Sequence, residues 1–311
     1  MVPTAYIPTL NGRDRLRLAL ESLRGQTAPC EVVVVDNGST DGSQVMVRAE
    51  FPDVTLIELD QNLGFGRALN QAIGDSGEGP VLLMNNDVEL EPEFVAEILA
   101  TAEATGAEMV ASVLLRADAT GLIDSAGIVA DHETLMAFDF LEGQPDTAAD
   151  TAEAPLGPSG GAALYDRAAF EAVGGFDQRI FAYYEDLDLA LRMRVAGASC
   201  ALSSRARGVH ARSTTLGSRS PHKYGISGWS RGYLIRRYGV MKSFSGLART
   251  IFFEGFVCAG QLVLERTASG IRGRFRGWHA ASGMEIRQLP SSGLTRISAR
   301  TAIRERLARL L

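Results

Sequence analysis

Two aspartates that follow buried strands are the first candidates for chemistry in this sequence. Asp36 comes directly after four valines at 32–35, and Asp87 follows an apolar run at 80–84 and two asparagines. In open α/β sheets, ligands bind beyond the carboxyl ends of the strands, so both aspartates could face one ligand. Each also has a structural explanation that stays open, an Asx turn for Asp36 and a helix cap for Asp87.

Three carboxylates at the start of a predicted helix form the second candidate. Glu185, Asp186 and Asp188 follow a run at 181–184 that contains three aromatic residues. Like charges beside apolar rings raise a carboxylate pKa toward that of a general base, whereas a helix N-terminus favours the charged form. An ion pair with Arg192, one turn later, would explain Asp188 without a catalytic role. The pattern therefore predicts a general base among these carboxylates and does not by itself single one out.

A histidine and a glycine turn are two weaker candidates. His210 ends a predicted short strand at 206–210, where it is either structural or a ligand beside the carboxylate sites. Residues 62–67 contain two glycines at the start of a helix, which lets the backbone approach an anion. Such a turn more often reflects tight packing alone, so it decides nothing by itself.

Alternating strands and helices must position these residues. Buried apolar runs predict strands at 5–9, 31–35, 54–58, 80–84, 109–115 and 206–210. Amphipathic spacing predicts helices over 13–25 and 42–50, and a third that runs from the glycine turn to 73. Three more helices are predicted to start near 92, 166 and 185. This order predicts an α/β fold. An acidic, turn-rich stretch at 142–155 is predicted to be a surface loop.

The charges divide the chain into two parts. Residues 1–200 carry 11 Arg and no Lys against 33 Asp plus Glu, a balance of −22, whereas residues 201–311 balance at +16. We therefore expect the C-terminal third to face nucleic acid, anionic lipid or a diphosphate substrate. Cys30, Cys200 and Cys258 lack metal-ligand spacing, which favours a reducing compartment without disulfides. The first residues lack a signal-peptide pattern, so we expect a cytoplasmic location.

The C-terminal region is predicted to lie on a membrane surface without crossing it. A helix is predicted over 246–266, but its longest uncharged stretch is the ten residues between Glu254 and Glu265. A spanning helix needs about twenty apolar residues. The tail at 269–311 combines many arginines with apolar residues, as an interfacial amphipathic segment does. A solvated basic face is the alternative.

An ordered set of motifs resembles a known family, the inverting nucleotide-sugar glycosyltransferases of family 2, in particular their bacterial rhamnosyltransferase-like branch. The resemblance covers residues 4–240. In chain order the motifs are I-P-T-L-N-G at 7–12, V-V-V-D-N-G-S-T-D-G-S at 33–43, N-L-G-F-G-R-A-L-N at 62–70, L-M-N-N-D-V at 83–88, S-G-G-A-A at 159–163, G-G-F-D at 174–177, Y-E-D-L-D-L-A-L-R at 184–192, and His210 with Ser213 after it.

The resemblance implies a fold and a domain division. The expected class is α/β, with a GT-A-type, Rossmann-like mixed sheet flanked by helices over 1–240 and a basic helical extension over 241–311. In such enzymes the aspartate after the second strand, here Asp36, contacts the nucleotide base. The D-x-D metal motif corresponds to Asn85-Asn86-Asp87, where asparagine replaces the first carboxylate. Asp87 and His210 match ligand positions for Mg²⁺ or Mn²⁺.

The resemblance also assigns catalytic and binding residues. Asp186 matches the base that activates the acceptor, and Glu185 is placed in acceptor contact or support. The residues that match nucleotide-sugar-binding positions lie at strand ends and glycine turns: Pro8, Thr9, Asn11, Asp36, Asn37, Asn62, Gly64, Phe65, Gly66, Asn70, Asn85, Asn86 and Gly161.

The implied function is transfer of a sugar to a lipid-linked or cell-envelope saccharide, with L-rhamnose from dTDP-rhamnose as the leading donor. We expect a cytoplasmic enzyme, peripheral on the inner face of the membrane, with no nucleic-acid partner, and leave a homo-oligomer open. The alternatives are a UDP-hexose or galactofuranose transferase of the same family and a non-catalytic nucleotide-sugar-binding module. A dinucleotide-dependent oxidoreductase is disfavoured because Asn11-Gly12, not G-x-G-x-x-G, follows the first strand.

Overall fold

A computed structural model describes residues 1–211, 220–298 and 301 of the chain. The strands in chain order are β1 Thr4–Thr9, β2 Glu31–Asp36, β3 Thr55–Glu58, β4 Val81–Met84, β5 Val88–Leu90, β6 Met109–Arg116, β7 Ile123–Ser125, β8 Ile128–Ala130, β9 Ala137–Asp139, β10 Ala162–Tyr165 and β11 Cys200–His210. The helices are α1 Arg13–Arg24, α2 Ser43–Glu50, α3 Phe65–Asp75, α4 Phe94–Thr105, α5 Arg167–Ala172, α6 Glu185–Val195, α7 Pro221–Arg237, α8 Phe244–Val263 and α9 Ser269–Ala280.

Most of the strands form one mixed sheet. Within the described residues it has nine strands, in the order β3-β2-β1-β4-β10-β6-β11-β5 with β7 paired to β6. Strands β3, β2, β1 and β4 are parallel neighbours, whereas β10 runs antiparallel to both β4 and β6. Strands β8 and β9 form a separate two-stranded sheet. The predicted α/β class, with a mixed sheet flanked by helices, is confirmed.

Apolar helix faces cover this sheet. The buried positions Leu16, Leu20 and Leu23 of α1 recur at helical spacing and share one core cluster with Val34 and Leu82 of the sheet. Burying a side chain of this size contributes about 1.5–3 kcal/mol. The apolar face that this spacing creates in α1 therefore packs the helix against the sheet.

The register brings the ends of the parallel strands to one edge. Thr9 pairs with Asp36, and Tyr6 pairs with Leu83. Because parallel strands point in the same direction, Thr9, Asp36 and Asn85 lie at the same edge of the sheet. We call this edge the donor edge. The predicted convergence of strand ends is confirmed.

The chain groups into two compact units. The first comprises 1–128, 139–181 and 185–215, and the second comprises 129–138, 182–184 and 216–311. Helix α7 lies before the predicted boundary at residue 240 but packs against α9 within the second unit. The predicted functional boundary at residue 240 stays a prediction.

Helices α7 and α9 approach each other through glycines. A Cβ added at Gly228 would lie 2.3 Å from the Gly270 carbonyl oxygen, and one at Gly273 would lie 2.2 Å from the Gly225 carbonyl oxygen. Side chains at these positions would therefore force the two backbones apart. We call this contact the glycine seam, which comprises Gly225, Gly228 and Gly232 of α7 with Gly270, Gly273 and Gly277 of α9.

A buried ion-pair cluster ties α8 to the helices of the seam. Glu254 of α8 accepts hydrogen bonds from Arg231 Nε and Arg274 Nε, each at 2.6 Å. Burial raises the pKa of Glu254, but the two guanidinium groups more than offset this effect and hold the pKa at about 2. Because removing one partner from a buried pair typically costs about 3–5 kcal/mol, Glu254 has a clear structural role.

The outer face of α8 is apolar and exposed. Phe244, Ile251, Phe252 and Val263 are between 55% and 85% exposed. Among the described residues, α8 is the one helix long and apolar enough to cross a membrane, judged by length and composition alone. The expectation that it lies on the surface instead stays a prediction.

Several elements differ from the expected ones. Strand β10 was not predicted because its residues, including Ala162 and Ala163, give little β signal. Strand β11 begins at Cys200 rather than 206, with a register shift between Leu202 and Arg207. The predicted loop at 142–155 contains a 3₁₀ segment, Asp146–Thr151. Of the predicted basic tail, residues 299, 300 and 302–311 lie outside the described residues.

Candidate active site

Asp36 is buried at the end of β2. Its Oδ2 accepts hydrogen bonds from Ser39 N–H at 2.9 Å and from Gln44 Nε2 at 2.7 Å. Its Oδ1 is buried and has no hydrogen-bond partner among the described residues. Because a buried acceptor without a partner is costly, Oδ1 is suited to accept from an N–H group of a ligand.

Two asparagines hold the loops at the donor edge. Asn11, at a φ of 51°, accepts a hydrogen bond from Thr40 N–H at 2.8 Å. Asn37 accepts from Leu63 N–H at 3.0 Å and donates to the Gly64 carbonyl at 3.2 Å. These side chains thus fix loop geometry, and their predicted contacts with a nucleotide sugar stay predictions.

The glycine turn at 62–66 is bound to the segment that precedes α6. Phe65 N–H donates to the Phe181 carbonyl at 2.8 Å. Gly64 has a φ of 85°, and a Cβ there would lie 2.5 Å from the same carbonyl oxygen. Asn62 accepts from Gly64 N–H at 2.9 Å. The turn therefore needs glycine for close approach as well as for its backbone conformation.

Helix α3 continues from this turn and packs on Phe176. Asn70 donates to the Phe176 carbonyl at 2.8 Å and accepts from Phe176 N–H at 2.9 Å. The rings of Phe65 and Phe176 lie 5.7 Å apart in an edge-to-face arrangement. A Cβ at Gly66 would lie 2.6 Å from Phe176 Cβ. Asn70 and Gly66 thus have packing roles, and their predicted ligand contacts stay untested.

Two adjacent glycines connect the donor edge with α6. Asn85 N–H donates to the Gly161 carbonyl at 2.8 Å. Gly160 N–H donates to Asp186 Oδ2 at 3.2 Å. Gly160 thus binds the candidate base Asp186, and its neighbour Gly161 binds the residue that follows β4.

The end of β1 is joined to the same strand end. Asn86 Nδ2 donates to Thr9 Oγ1 at 2.8 Å. Thr9 is buried, and Pro8, which precedes it, pairs with Val35 of β2. These contacts place Pro8, Thr9, Asn85 and Asn86 together, and their predicted contacts with the donor stay predictions.

Asp87 and His210 meet beside the end of β11. Asp87 Oδ1 lies 3.4 Å from His210 Nε2, and Asp124 Oδ2 lies 2.8 Å from His210 Nδ1. Burial lowers the pKa of His210, but the hydrogen bonds and charges of both aspartates outweigh burial and raise the pKa to about 9. The sequence-based pairing of Asp87 with His210 thus appears as a direct contact.

Asp87 and His210 offer ligands that suit a divalent ion. Neighbouring ligands of an octahedral ion with bonds of about 2.1 Å lie about 3 Å apart, close to the 3.4 Å found here. Magnesium commonly uses one or two protein side chains and completes its shell with phosphate oxygens and water. In the described parts of the chain, no group of three or more His, Cys, Asp or Glu is arranged to hold an ion.

Glu185 and Asp186 open α6 as carboxylates whose charge is disfavoured. Burial, followed by the charge of Asp186, raises the pKa of Glu185 to about 8. Burial also raises the pKa of Asp186 to about 6, although hydrogen bonds from Leu187 N–H and Gly160 N–H lower it. Perturbed pairs of this kind are typical of acid–base sites.

Asp188 differs from these two residues. It is fully buried, and its Oδ2 lies 2.7 Å from Arg192 Nε. Arg192 Nη1 also donates to the Val173 carbonyl at 2.8 Å. The predicted ion pair one helical turn apart is confirmed, and Asp188 has a structural role.

Comparison with known proteins identifies the family. The sequence model described as "Glycosyl transferase family 2" matches residues 4–174, more than half of the chain. The chain belongs to glycosyltransferase family 2. The family predicted from the motifs is confirmed.

One curated relative of this glycosyltransferase is the N-acetylglucosaminyl-diphospho-decaprenol L-rhamnosyltransferase of Mycobacterium tuberculosis. The two are 31% identical over 191 residues, which cover 54% of this chain and 62% of the relative. The match therefore spans less than two thirds of the relative's length.

Solved structures share the fold. The mannosyltransferase PcManGT from Pyrobaculum calidifontis, in complex with GDP-Man and Mn²⁺, matches with a TM-score of 0.56 at 18% identity, over 99% of this chain and 79% of that chain. S. aureus TarS 1–349 in complex with UDP matches with a TM-score of 0.52 at 16% identity, over 92% and 93% of the two chains. The predicted GT-A-type fold is confirmed.

Two contacts of the glycosyltransferase were not found from the sequence. Asp124 carries no local signal, because nothing around it in the sequence separates it from the other acidic residues. Gly160 is not among the predicted site residues, whereas its neighbour Gly161 is. The signal for both is the pattern Ser-Gly-Gly at 159–161. Both residues form hydrogen bonds with partners that are distant in the chain, Asp124 with His210 and Gly160 with Asp186.

Proposed function

We propose that this glycosyltransferase moves a sugar from a nucleoside-diphosphate sugar to an acceptor hydroxyl with inversion, and that Asp186 is the general base. The observation that carries the proposal is the pair of hydrogen bonds at two adjacent glycines. Gly161 accepts from Asn85 N–H, and Gly160 donates to Asp186 Oδ2. The base is thereby held next to the strand end that leads to the candidate metal ligands.

The reaction is a single displacement. The acceptor oxygen attacks the anomeric carbon while its proton passes to Asp186, and the bond from that carbon to the diphosphate breaks on the opposite face. With its pKa raised to about 6, Asp186 is ionised at pH 7 and still basic enough to accept a proton. Glu185 has the higher pKa and keeps its proton at neutral pH, so it supports the base without adding a second charge.

Asp87 and His210 are the proposed ligands of Mg²⁺ or Mn²⁺. When bound, the ion neutralises the negative charge that develops on the departing diphosphate. Asp87 supplies a hard carboxylate oxygen and His210 an imidazole nitrogen, both of which suit Mn²⁺. The asparagine in place of the first carboxylate leaves Asp87 as the acidic ligand of the motif.

Asp36 is the proposed contact to the nucleobase. Its buried Oδ1 can accept a hydrogen bond from a base N–H group, as its Oδ2 already does from Ser39 and Gln44. We take dTDP-L-rhamnose as the donor because the 31% identical relative is named an L-rhamnosyltransferase. A UDP-hexose or galactofuranose donor is the alternative. A non-catalytic binding module would leave the Glu185 and Asp186 pair without a purpose.

The proposed acceptor is a lipid-linked saccharide of the cell envelope, at the cytoplasmic face of the membrane. The acceptor in the relative's name is N-acetylglucosaminyl-diphospho-decaprenol. In this chain, the exposed apolar face of α8 and the +16 balance of residues 201–311 suit an anionic lipid surface. A surface position is favoured over a spanning one because Glu254 and its arginine partners would be costly inside a bilayer.

A donor panel tests the main proposal. Thermal unfolding with dTDP-, UDP- and GDP-linked sugars, each with and without Mn²⁺, is expected to show the largest stabilisation for dTDP-L-rhamnose with metal. NMR of the product made from the selected donor is expected to show the anomeric configuration opposite to that of the donor. Retention of configuration would refute a single displacement, and the absence of stabilisation by any nucleotide sugar would refute the donor class.

Vesicle binding tests the membrane proposal. Co-sedimentation is expected to rise with anionic lipid content and to fall with salt, because each basic residue near such a surface contributes about 1 kcal/mol. Phe252→Ser should weaken binding, whereas Leu18→Ser, at a position of the first unit that is 45% exposed, should not. Sedimentation that ignores both lipid charge and salt would exclude this docking.

A further inference from the structure

Asp124 lies beside His210 although the two are far apart in the sequence. It is the middle residue of β7, which pairs with β6, and β6 also pairs with β11, the strand that ends in His210. Asp124 Oδ2 is 2.8 Å from His210 Nδ1, and Asp124 is 3% exposed. The contact is therefore built by strands of the sheet and not by a surface loop.

The second nitrogen of the ring faces the other aspartate. His210 Nε2 lies 3.4 Å from Asp87 Oδ1. An ionised carboxylate only accepts hydrogen bonds, so the bond to Asp124 places a proton on Nδ1. In the neutral ring, the lone pair is then on Nε2, on the side of Asp87.

We infer that Asp124 is a positioning residue that fixes the ring orientation and tautomer of His210 for the divalent ion. This inference rests on the proposed function, because it requires an ion at Asp87 and His210. Metal-bound histidines usually donate their second N–H to a carboxylate or carbonyl, and such partners orient the ligand ring. Asp124 acts through His210 in this arrangement.

Packing by itself does not explain a carboxylate at this position. The neighbouring residues Ile123 and Ala126 belong to an apolar cluster with Val113. An apolar side chain at this buried position would avoid the desolvation cost of a carboxylate. Among the described residues, the imidazole of His210 is a partner that gives the carboxylate a role.

Calorimetry of Asp124→Asn tests this role. With Mn²⁺ present, the affinity for dTDP or UDP is expected to fall about 10–100-fold, whereas affinity without metal should stay unchanged. Asp177→Asn is the matched control, because Asp177 is another buried aspartate of the first unit, 6% exposed, outside the proposed metal site. The control is expected to keep the wild-type metal-dependent affinity.

Nitrogen-15 NMR gives a readout that needs no folded Asp124 variant. The wild-type protein is loaded with Mg²⁺ and dTDP, and the signals of His210 are assigned by their loss in His210→Gln. We expect a proton on Nδ1 and none on Nε2. A proton on Nε2 instead would overturn the inference.

His210→Gln also separates this inference from the metal proposal. If His210→Gln and Asp124→Asn both keep wild-type metal-dependent affinity, the metal assignment fails and the role of Asp124 fails with it. If only His210→Gln weakens that affinity, the metal assignment stands and the role of Asp124 is overturned.

Discussion

The donor edge and the start of α6 place their carboxylates in different surroundings. At the donor edge, Asp36 accepts two hydrogen bonds and Asp87 faces the imidazole of His210. At the start of α6, burial raises the pKa of both Glu185 and Asp186. The first region supplies partners for negative charge, whereas the second opposes it and so prepares a carboxylate to accept a proton.

The difference teaches that burial alone does not decide what a carboxylate does. Asp188 is fully buried and is an ion-pair partner of Arg192, whereas Glu185 is only partly buried and has an oxygen without a hydrogen-bond partner in the described residues. The ion pair with Arg192, and not depth by itself, thus separates the structural role of Asp188 from the proposed role of Glu185. Substitutions in the two regions should therefore show their effects in different assays.

Asp186→Asn should have the largest effect. It keeps the shape of the side chain and removes its basicity, and general-base assistance is typically worth about 10²–10⁴-fold. The rate of transfer should fall by at least the lower value, while donor affinity stays unchanged. Asp166→Asn, at the cap of α5, is the control. Near-normal turnover in Asp186→Asn together with loss in Glu185→Gln would reassign the base to Glu185.

Asp87→Ala, at the donor edge, should lower nucleotide affinity, which Asp186→Asn leaves unchanged. Removing a ligand should lower the Mn²⁺-dependent affinity for nucleoside diphosphate by at least about tenfold, the lower end for loss of an outer-shell partner. Metal-free affinity should change little. Calorimetry with and without Mn²⁺ measures both quantities, and an equal metal-dependent affinity in wild type and variant would exclude Asp87 as a ligand.

Asp36→Asn, also at the donor edge, should have a smaller effect on nucleotide affinity. The amide oxygen can still accept from Ser39 and Gln44, but the amide nitrogen would then replace the buried Oδ1 with a donor. A lost hydrogen bond to a charged group costs about 1.5–3 kcal/mol, so nucleotide affinity should fall by about tenfold or more. Glu58→Gln on the neighbouring strand is the control. An unchanged affinity in Asp36→Asn would remove this residue from the nucleobase site.

Glu185→Gln should change how the stability of the protein depends on pH. The folded pKa of Glu185, about 8, exceeds its ordinary value of 4.5. The stability linked to its proton is therefore complete below pH 4.5 and is lost as the pH rises through 8. Urea unfolding at pH 5 and pH 8.5 should show a smaller loss in Glu185→Gln than in wild type. An identical pH dependence would mean that Glu185 is not protonated in the folded state at neutral pH.

Local patterns in the sequence predict the candidate carboxylates of both regions but not the contacts that hold them. The valine run before Asp36 and the acidic helix start at Asp186 are signals within a few residues. The contact from Asp124 to His210 joins residues 86 positions apart and depends on how β7, β6 and β11 pair. The hydrogen bond from Gly160 to Asp186 likewise depends on β10, whose small residues give little strand signal.

The glycine seam also bears on how readily the second unit accumulates mutations. Every substitution of a glycine adds at least a Cβ, and at Gly228 or Gly273 that atom would overlap the facing backbone. A change at Phe252 or Val263 on the outer face of α8 meets mainly solvent. In a library of random variants, losses would concentrate along α7 and α9, while α8 would collect new surface chemistry. The surface properties of such a protein can thus diversify on one helix while its two neighbours keep the scaffold constant.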